Sequence, residues 1–214
     1  FSSCFDWHAD TKRLATSRNS RLEIWTGDPP RFQSRIDDVR PGTVRFSPDG
    51  THLAVVDKLI VKIVSVGSGK AVATIDVAAE HATNRDSKQI TSIDWRTDGT
   101  AIATGTNMGA IHLWNPTSGE LIKPITTLPP NFPCNDMDWH PGEELLAVGV
   151  RYGLVMVVNV EGNQLAWSRK IHRDYVLAVR WNPSGHLLAA ATAGGSNPAR
   201  LVIWDRKGTE KTRS

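Results

Sequence analysis

Along the chain, apolar residues alternate with polar ones in short runs, and each run is broken by Gly, Pro, Asp or Asn. Alternation of that kind turns one face of a strand towards a core, and β-branched residues fill many of the apolar positions. No segment sustains a helical period. The pattern predicts short antiparallel strands joined by tight turns, with no helical layer.

The runs also repeat at longer range. Five triplets read apolar, charged, aromatic: Phe5-Asp6-Trp7, Val44-Arg45-Phe46, Ile93-Asp94-Trp95, Met137-Asp138-Trp139 and Val179-Arg180-Trp181. Turn residues follow, clearest in Ser47-Pro48-Asp49-Gly50, Arg96-Thr97-Asp98-Gly99 and Asn182-Pro183-Ser184-Gly185. Seven residues past each aromatic stands Leu14, Leu53, Ile102, Leu146 or Leu188, and the next residue is alanine every time. A third run ends at Trp25, Val64, Trp114, Val158 or Trp204, which lie 18, 18, 19, 19 and 23 residues past the aromatic. A Gly-Gly-Ser-Asn-Pro insertion at 194–198 accounts for the last, longer value. Turns such as Gly67-Ser68-Gly69 and Glu161-Gly162-Asn163 then lead to predicted fourth strands at Ala71–Ile75, Leu121–Ile125 and Leu165–Ile171. The polar stretch from Lys207 to Ser214 is expected to form at most a weak outer strand.

Successive first aromatics are 39, 49, 44 and 42 residues apart. Four short strands repeated every ~40 residues is the arithmetic of a β-propeller blade. A four-stranded sheet cannot bury both faces alone, so large apolar residues at fixed positions must stack on the next sheet. Alanine beside them lets the sheets approach closely.

Composition agrees and narrows the field. At 214 residues, 40% hydrophobic and 22% charged, the chain is an ordinary globular one, not collagen-like, coiled-coil or disordered. The longest apolar run, Leu187 to Ala193, falls far short of the ~20 residues of a membrane-spanning helix. Eight tryptophans stand against two tyrosines, and seven of the eight occupy two fixed repeat positions, with only Trp167 off that grid. An excess of three basic residues, with a pI near 9.0, is a weak case for nucleic acid. Cys4 and Cys134 provide neither a disulfide framework nor metal-ligand spacing. A reducing, intracellular compartment, cytoplasmic or nuclear, is the expectation.

The motifs Phe46-Ser47-Pro48-Asp49-Gly50, Ile93-Asp94-Trp95-Arg96-Thr97-Asp98-Gly99, Ile102-Ala103-Thr104-Gly105-Thr106 and Trp204-Asp205 resemble the WD40 repeat family. His172, nine residues before Trp181, has the spacing of that family's Gly-His element, although Ile171 replaces the glycine. The resemblance implies an all-β, WD40-type β-propeller. Five four-stranded blades are visible, at about 3–38, 42–77, 90–128, 134–171 and 175–214, as part of a seven-blade or larger ring. The family's supporting network links His, Ser or Thr, Asp and the terminal Trp. Here the Asp position holds Asn19, Lys58, Met108, Tyr152 and Pro198, and Val64 and Val158 replace the terminal Trp. The fifth repeat comes closest, with His172, Thr192 and Trp204.

Catalytic readings fail on their own terms. Gly67-Ser68-Gly69-Lys70 lacks the first glycine of a phosphate loop and has Ala71 where a magnesium-binding hydroxyl belongs, so it reads as a hairpin turn. No Gly-x-Ser-x-Gly elbow occurs, and the seven histidines show no metal-ligand spacing. His8 and His140 read as turn residues, and His172 as structural. No catalytic residue, cofactor or metal is expected.

Binding surfaces remain. In the family, the loops before the first strand and between the second and third strands line one mouth of the central channel. Those positions are Arg40, Gln89, Pro133 and Tyr175 in the first set and Arg18, Asp57, Asn107, Arg151 and Asn197 in the second. The result is a polar, mildly basic mouth suited to an acidic or phosphorylated peptide. Two insertions, His81–Lys88 and Pro129–Pro133, lengthen the loops, and the second carries the aromatic Phe132. Candidate partner-binding residues are therefore Arg18, Arg40, Asn107, Phe132, Arg151 and Tyr175. The expected function is a non-enzymatic scaffold of a multiprotein complex that binds proteins through the propeller mouth and inter-blade loops. Missing blades or a partner chain would close the ring, and no membrane partner is expected. The alternative is a histone- or nucleic-acid-facing regulator, because Ile90 to Trp114 is similar to transducin-β-like corepressors.

Overall fold

The computed structural model describes residues 5–18, 21–36, 42–80, 89–126, 132–171, 175–192 and 199–213. They form five four-stranded sheets, each ordered as the chain runs. The first holds β1 (Phe5–His8), β2 (Arg13–Arg18), β3 (Arg21–Thr26) and β4 (Arg31–Ile36). The second holds β5 (Val44–Phe46), β6 (His52–Asp57), β7 (Ile60–Ser65) and β8 (Ala71–Asp76). The third holds β9 (Ile90–Trp95), β10 (Ile102–Thr106), β11 (Ile111–Trp114) and β12 (Leu121–Ile125). The fourth holds β13 (Cys134–Trp139), β14 (Leu145–Val150), β15 (Leu154–Asn159) and β16 (Gln164–Lys170). The fifth holds β17 (Val176–Trp181), β18 (Leu187–Thr192), β19 (Leu201–Asp205) and β20 (Glu210–Arg213). The polar stretch near the end does form a short outer strand, β20, antiparallel to β19 with a register shift between Ile203 and Trp204; backbone pairing at a sheet edge needs no apolar side chain.

One helical turn, Val77–Glu80, follows β8; the Asp76 carboxylate accepts the Ala78 and Ala79 amides at 3.0 and 3.3 Å. The chain divides into two compact units, residues 1–103 with 113–122, and residues 104–112 with 123–214. The first two sheets lie wholly in the first unit and the last two wholly in the second.

Strand register explains the spacing of the repeat. Trp7 pairs with Leu14 and Leu14 with Trp25; Phe46, Leu53 and Val64 form the same row, as do Trp139, Leu146 and Val158, and Trp181, Leu188 and Trp204. The row is one apolar face of a sheet. On the opposite face of these four sheets, the repeat alanine sits across from the charged residue of the triplet: Ala15 from Asp6, Ala54 from Arg45, Ala147 from Asp138, Ala189 from Arg180.

Within each unit these faces stack, and the first strands of successive sheets run side by side: β1 by β5, β5 by β9, and β13 by β17. The charged residues make the junctions polar at the strand edge and dry behind it. Asp6 accepts the Phe46 amide at 2.7 Å, and Asp138 accepts the Trp181 amide at 2.6 Å. Asp136 accepts the Val179 amide at 2.9 Å and pairs with Arg180. A first strand has an open edge of N–H groups, and a carboxylate from the preceding sheet satisfies it.

Trp167, off the repeat grid, is also a junction residue. It lies on β16 with its ring centroid 6.0 Å from that of Trp204, and its indole N–H donates to the Arg206 carbonyl at 2.9 Å. The Gly67-Ser68-Gly69 segment is the β7–β8 hairpin turn, closed by the Gly69 amide donating to the Ser65 carbonyl at 2.8 Å.

Candidate functional site

The site forms in the second unit where two loop classes meet. The β14–β15 connection is Arg151-Tyr152-Gly153, with Val150 paired directly to Leu154. Closing so short a loop forces left-handed backbone: Tyr152 has φ 69° and ψ 23°, and Gly153 has φ 71°. Glycine takes that conformation freely, whereas a tyrosine rarely does. The loop is anchored below by the Arg151 amide donating to the Pro133 carbonyl at 3.1 Å and by the Ile171 amide donating to the Gly153 carbonyl at 2.8 Å.

On this loop the Arg151 guanidinium lies over the Tyr175 ring, 4.6 Å from its centroid, and donates a hydrogen bond to the Tyr175 hydroxyl. The Tyr152 ring centroid is 5.7 Å from the same guanidinium carbon. Both tyrosines face solvent, at 51% and 43% exposure, so the cation sits between two accessible rings. No carboxylate pairs with Arg151 among the described residues. Its Nε is buried and meets no acceptor there.

Phe132 extends the surface. Its ring meets Tyr152 edge-on, with centroids 6.0 Å apart and planes at 82°. Its backbone packs on the turn at Gly109, where a Cβ would lie 2.6 Å from the Phe132 carbonyl oxygen. That approach, together with φ +84°, requires glycine at 109. Asn107 belongs to the same β10–β11 turn.

Three of the six sequence candidates, Phe132, Arg151 and Tyr175, therefore form one cluster, and Asn107 stands in the turn that supports it. Arg40 and the Arg18 side chain lie outside the described residues, as do Asn197, His172 and the His81–Lys88 insertion. Tyr152 is the member that the sequence reading passed over, noted only as a departure from an Asp position. An aromatic just before glycine in a tight turn, beside an arginine, was its available signal.

No metal-binding group of His, Cys, Asp or Glu occurs among the described residues. None of their helices is long and apolar enough to cross a membrane. Cys134 is fully buried; desolvation, with the nearby Asp136 charge, pushes its thiol pKa well above the ordinary value. A thiol in that state is not a nucleophile. Asp205, of the Trp204-Asp205 pair, serves its own turn by accepting the Thr209 amide at 2.9 Å and the Lys207 amide at 3.0 Å. The Thr209 bond, with Lys211 beside it, lowers its carboxyl pKa to about 2.

Known proteins share this pattern. Cell division cycle 20.1, cofactor of APC complex, from Arabidopsis thaliana is 26% identical over 143 residues, covering 66% of this chain and 28% of that protein. Actin-related protein 2/3 complex subunit 1A of the same plant is 25% identical over 119 residues, covering 54% of this chain and 32% of that protein. The chain thus spans about a third of the length of these relatives or less. The sequence profile of the Anaphase-promoting complex subunit 4 WD40 domain matches residues 80–134 and 137–202, more than half of the chain. With that match and five antiparallel four-stranded sheets in register, the chain belongs to the WD40-repeat family.

Proposed function

We propose that the protein is a non-enzymatic scaffold of a multiprotein complex, and that the Phe132–Arg151–Tyr152–Tyr175 surface of its second unit receives an acidic or phosphorylated segment of a partner. The observation that carries this reading is Arg151, a cation between two exposed tyrosines with no carboxylate partner among the described residues. A planar guanidinium offers paired N–H donors that match carboxylate and phosphate oxygens. Tyrosine and arginine are also the residues that most often carry binding energy in interfaces. The related proteins point the same way, one being a cofactor of the APC complex and another a subunit of the actin-related protein 2/3 complex.

Affinity capture of the intact protein followed by mass spectrometry tests the reading. Arg151→Glu, which reverses the charge, should lose a defined set of co-captured proteins, and Tyr175→Ala should weaken the same set. Phosphatase treatment of the extract separates a phosphorylated partner from an acidic one. A capture profile unchanged by Arg151→Glu would overturn the assignment of this surface.

A further inference from the structure

The residue after each first aromatic decides how the gap to the next sheet is filled. At the first junction it is His8. Its Nε2–H donates to the Pro48 carbonyl at 2.9 Å, its Nδ1 accepts the Thr11 amide, and its ring lies 5.8 Å from Phe46. At the junction of the fourth and fifth sheets it is His140. Its Nε2–H donates to the Gly185 carbonyl at 3.0 Å, its Nδ1 accepts the Gly142 amide, and its ring lies 4.8 Å from Trp181. Gly50 and Gly185 hold equivalent turn positions, four residues past the aromatic of the receiving sheet. A Cβ there would lie 2.8 Å from the His8 ring or 2.4 Å from the His140 ring. An imidazole therefore fills the same slot at both junctions.

At the junction of the second and third sheets, inside the first unit, that residue is Ser47. Its hydroxyl turns back to the Asp49 carboxylate at 2.5 Å and cannot reach across. The equivalent turn glycine, Gly99, has nothing closer to a Cβ than the Pro48 ring at 4.0 Å. The slot stands open as a cleft of 630 Å³. Ligand pockets run about 300–1,000 Å³, so the cleft admits a side chain with its flanking backbone.

We propose that this cleft is a binding pocket for an arginine side chain in a basic segment of a partner protein. The filled slots show what the site accepts: a planar group bearing N–H, set beside an aromatic ring and facing turn carbonyls. A guanidinium has that shape and adds a permanent charge. Trp95 supplies the ring, and Ile63 and Val72 supply an aliphatic wall for the arginine stem. Asp49 and Asp98 supply the counter-charge. Arg96 already pairs with Asp98 at 3.2 Å, whereas Asp49 makes no ion pair with a lysine or arginine among the described residues; its basic neighbour is His52, which also lines the cleft. Burial raises the Asp49 pKa, but hydrogen bonds from Ser47 and Thr51 outweigh it and hold the carboxyl at about 2. Lysine would bring the charge without the plane, and histidine the plane without the fixed charge.

The pocket takes the opposite charge from the Arg151 surface and lies in the other unit, so the two assignments stand or fall separately. The probe is a fluorescein-labelled peptide, acetyl-Gly-Leu-Arg-Leu-Gly-amide, titrated with the intact protein and followed by anisotropy. A citrulline peptide, equal in shape and uncharged, is the control. The arginine peptide should bind at least tenfold more tightly than the citrulline peptide. Ser47→His should restore the missing ring and cut binding at least tenfold. Val72→Arg places a cation at the mouth of the cleft and should do the same; Val72 is 57% exposed, so this change leaves the fold intact if the histidine variant does not fold. Arg151→Glu should leave the titration unchanged. No binding at millimolar protein, equal affinity for citrulline, or full binding by Val72→Arg would each overturn the proposal.

Discussion

Trp7 and Trp181 hold the same place in the repeat and live in different surroundings. Trp7 is 48% exposed, whereas Phe46, Trp95, Trp139 and Trp181 range from 4% to 7%. Phe46, Trp95 and Trp181 each pack on the preceding sheet: Phe46 on His8, Trp95 where its indole donates to the Arg45 carbonyl at 3.2 Å, and Trp181 on His140. Removing a buried tryptophan leaves a cavity, so Trp181→Ala should cost about 3–5 kcal/mol. Trp7→Ala should cost about 1 kcal/mol or less, because half of its surface is already in water. Urea unfolding followed by circular dichroism measures both, and equal losses would mean that the Trp7 ring is covered in solution. The repeat spacing puts the five aromatics in one class because it records position within a strand. Burial depends on which sheet lies alongside, and no residue of the triplet encodes that.

At the scale of elements, the histidine junctions are coupled pairs. His140 sits against Gly185, whose φ of +72° already disfavours a side chain. Gly185→Ala adds a Cβ 2.4 Å from the imidazole and should destabilise by about 1–3 kcal/mol. Part of that loss is backbone strain, and the rest is collision with the ring. His140→Ala removes the collision, so the double variant should be less destabilised than the sum of the two singles. The expected coupling is about 0.5–3 kcal/mol, the range for residues in contact. An additive cycle would show that the ring moves aside freely. The strands themselves were legible because alternation and turn residues are local signals. The helical turn at Val77–Glu80 was not, since four residues carry no readable period. In the same way, Arg151 and Tyr175 could be found by spacing. Their contact was invisible, because it depends on how the fifth sheet's first strand lies beside the fourth sheet's turn.

At the scale of the whole molecule, the five sheets are equivalent in sequence but not in what covers them. The fifth sheet keeps Leu188, Val202 and Trp204 buried on one face, while Leu177, Leu187 and Leu201 stand 59%, 37% and 45% exposed. In the fourth sheet, the alanine face that corresponds to this open side is closed, with Ala147 fully buried. Contiguous exposed apolar residues mark either an interaction surface or an aggregation liability. Either way they contribute little to folding, because their transfer from water is incomplete. The double variant Leu177→Lys with Leu201→Lys should therefore unfold within about 0.5 kcal/mol of the parent. Its concentration-dependent self-association, measured by light scattering, should fall at the same time. A clear drop in stability would instead show that these leucines are packed in solution. Unchanged association with unchanged stability would move the sticky surface elsewhere, with the open Trp7 edge of the first sheet the next to test.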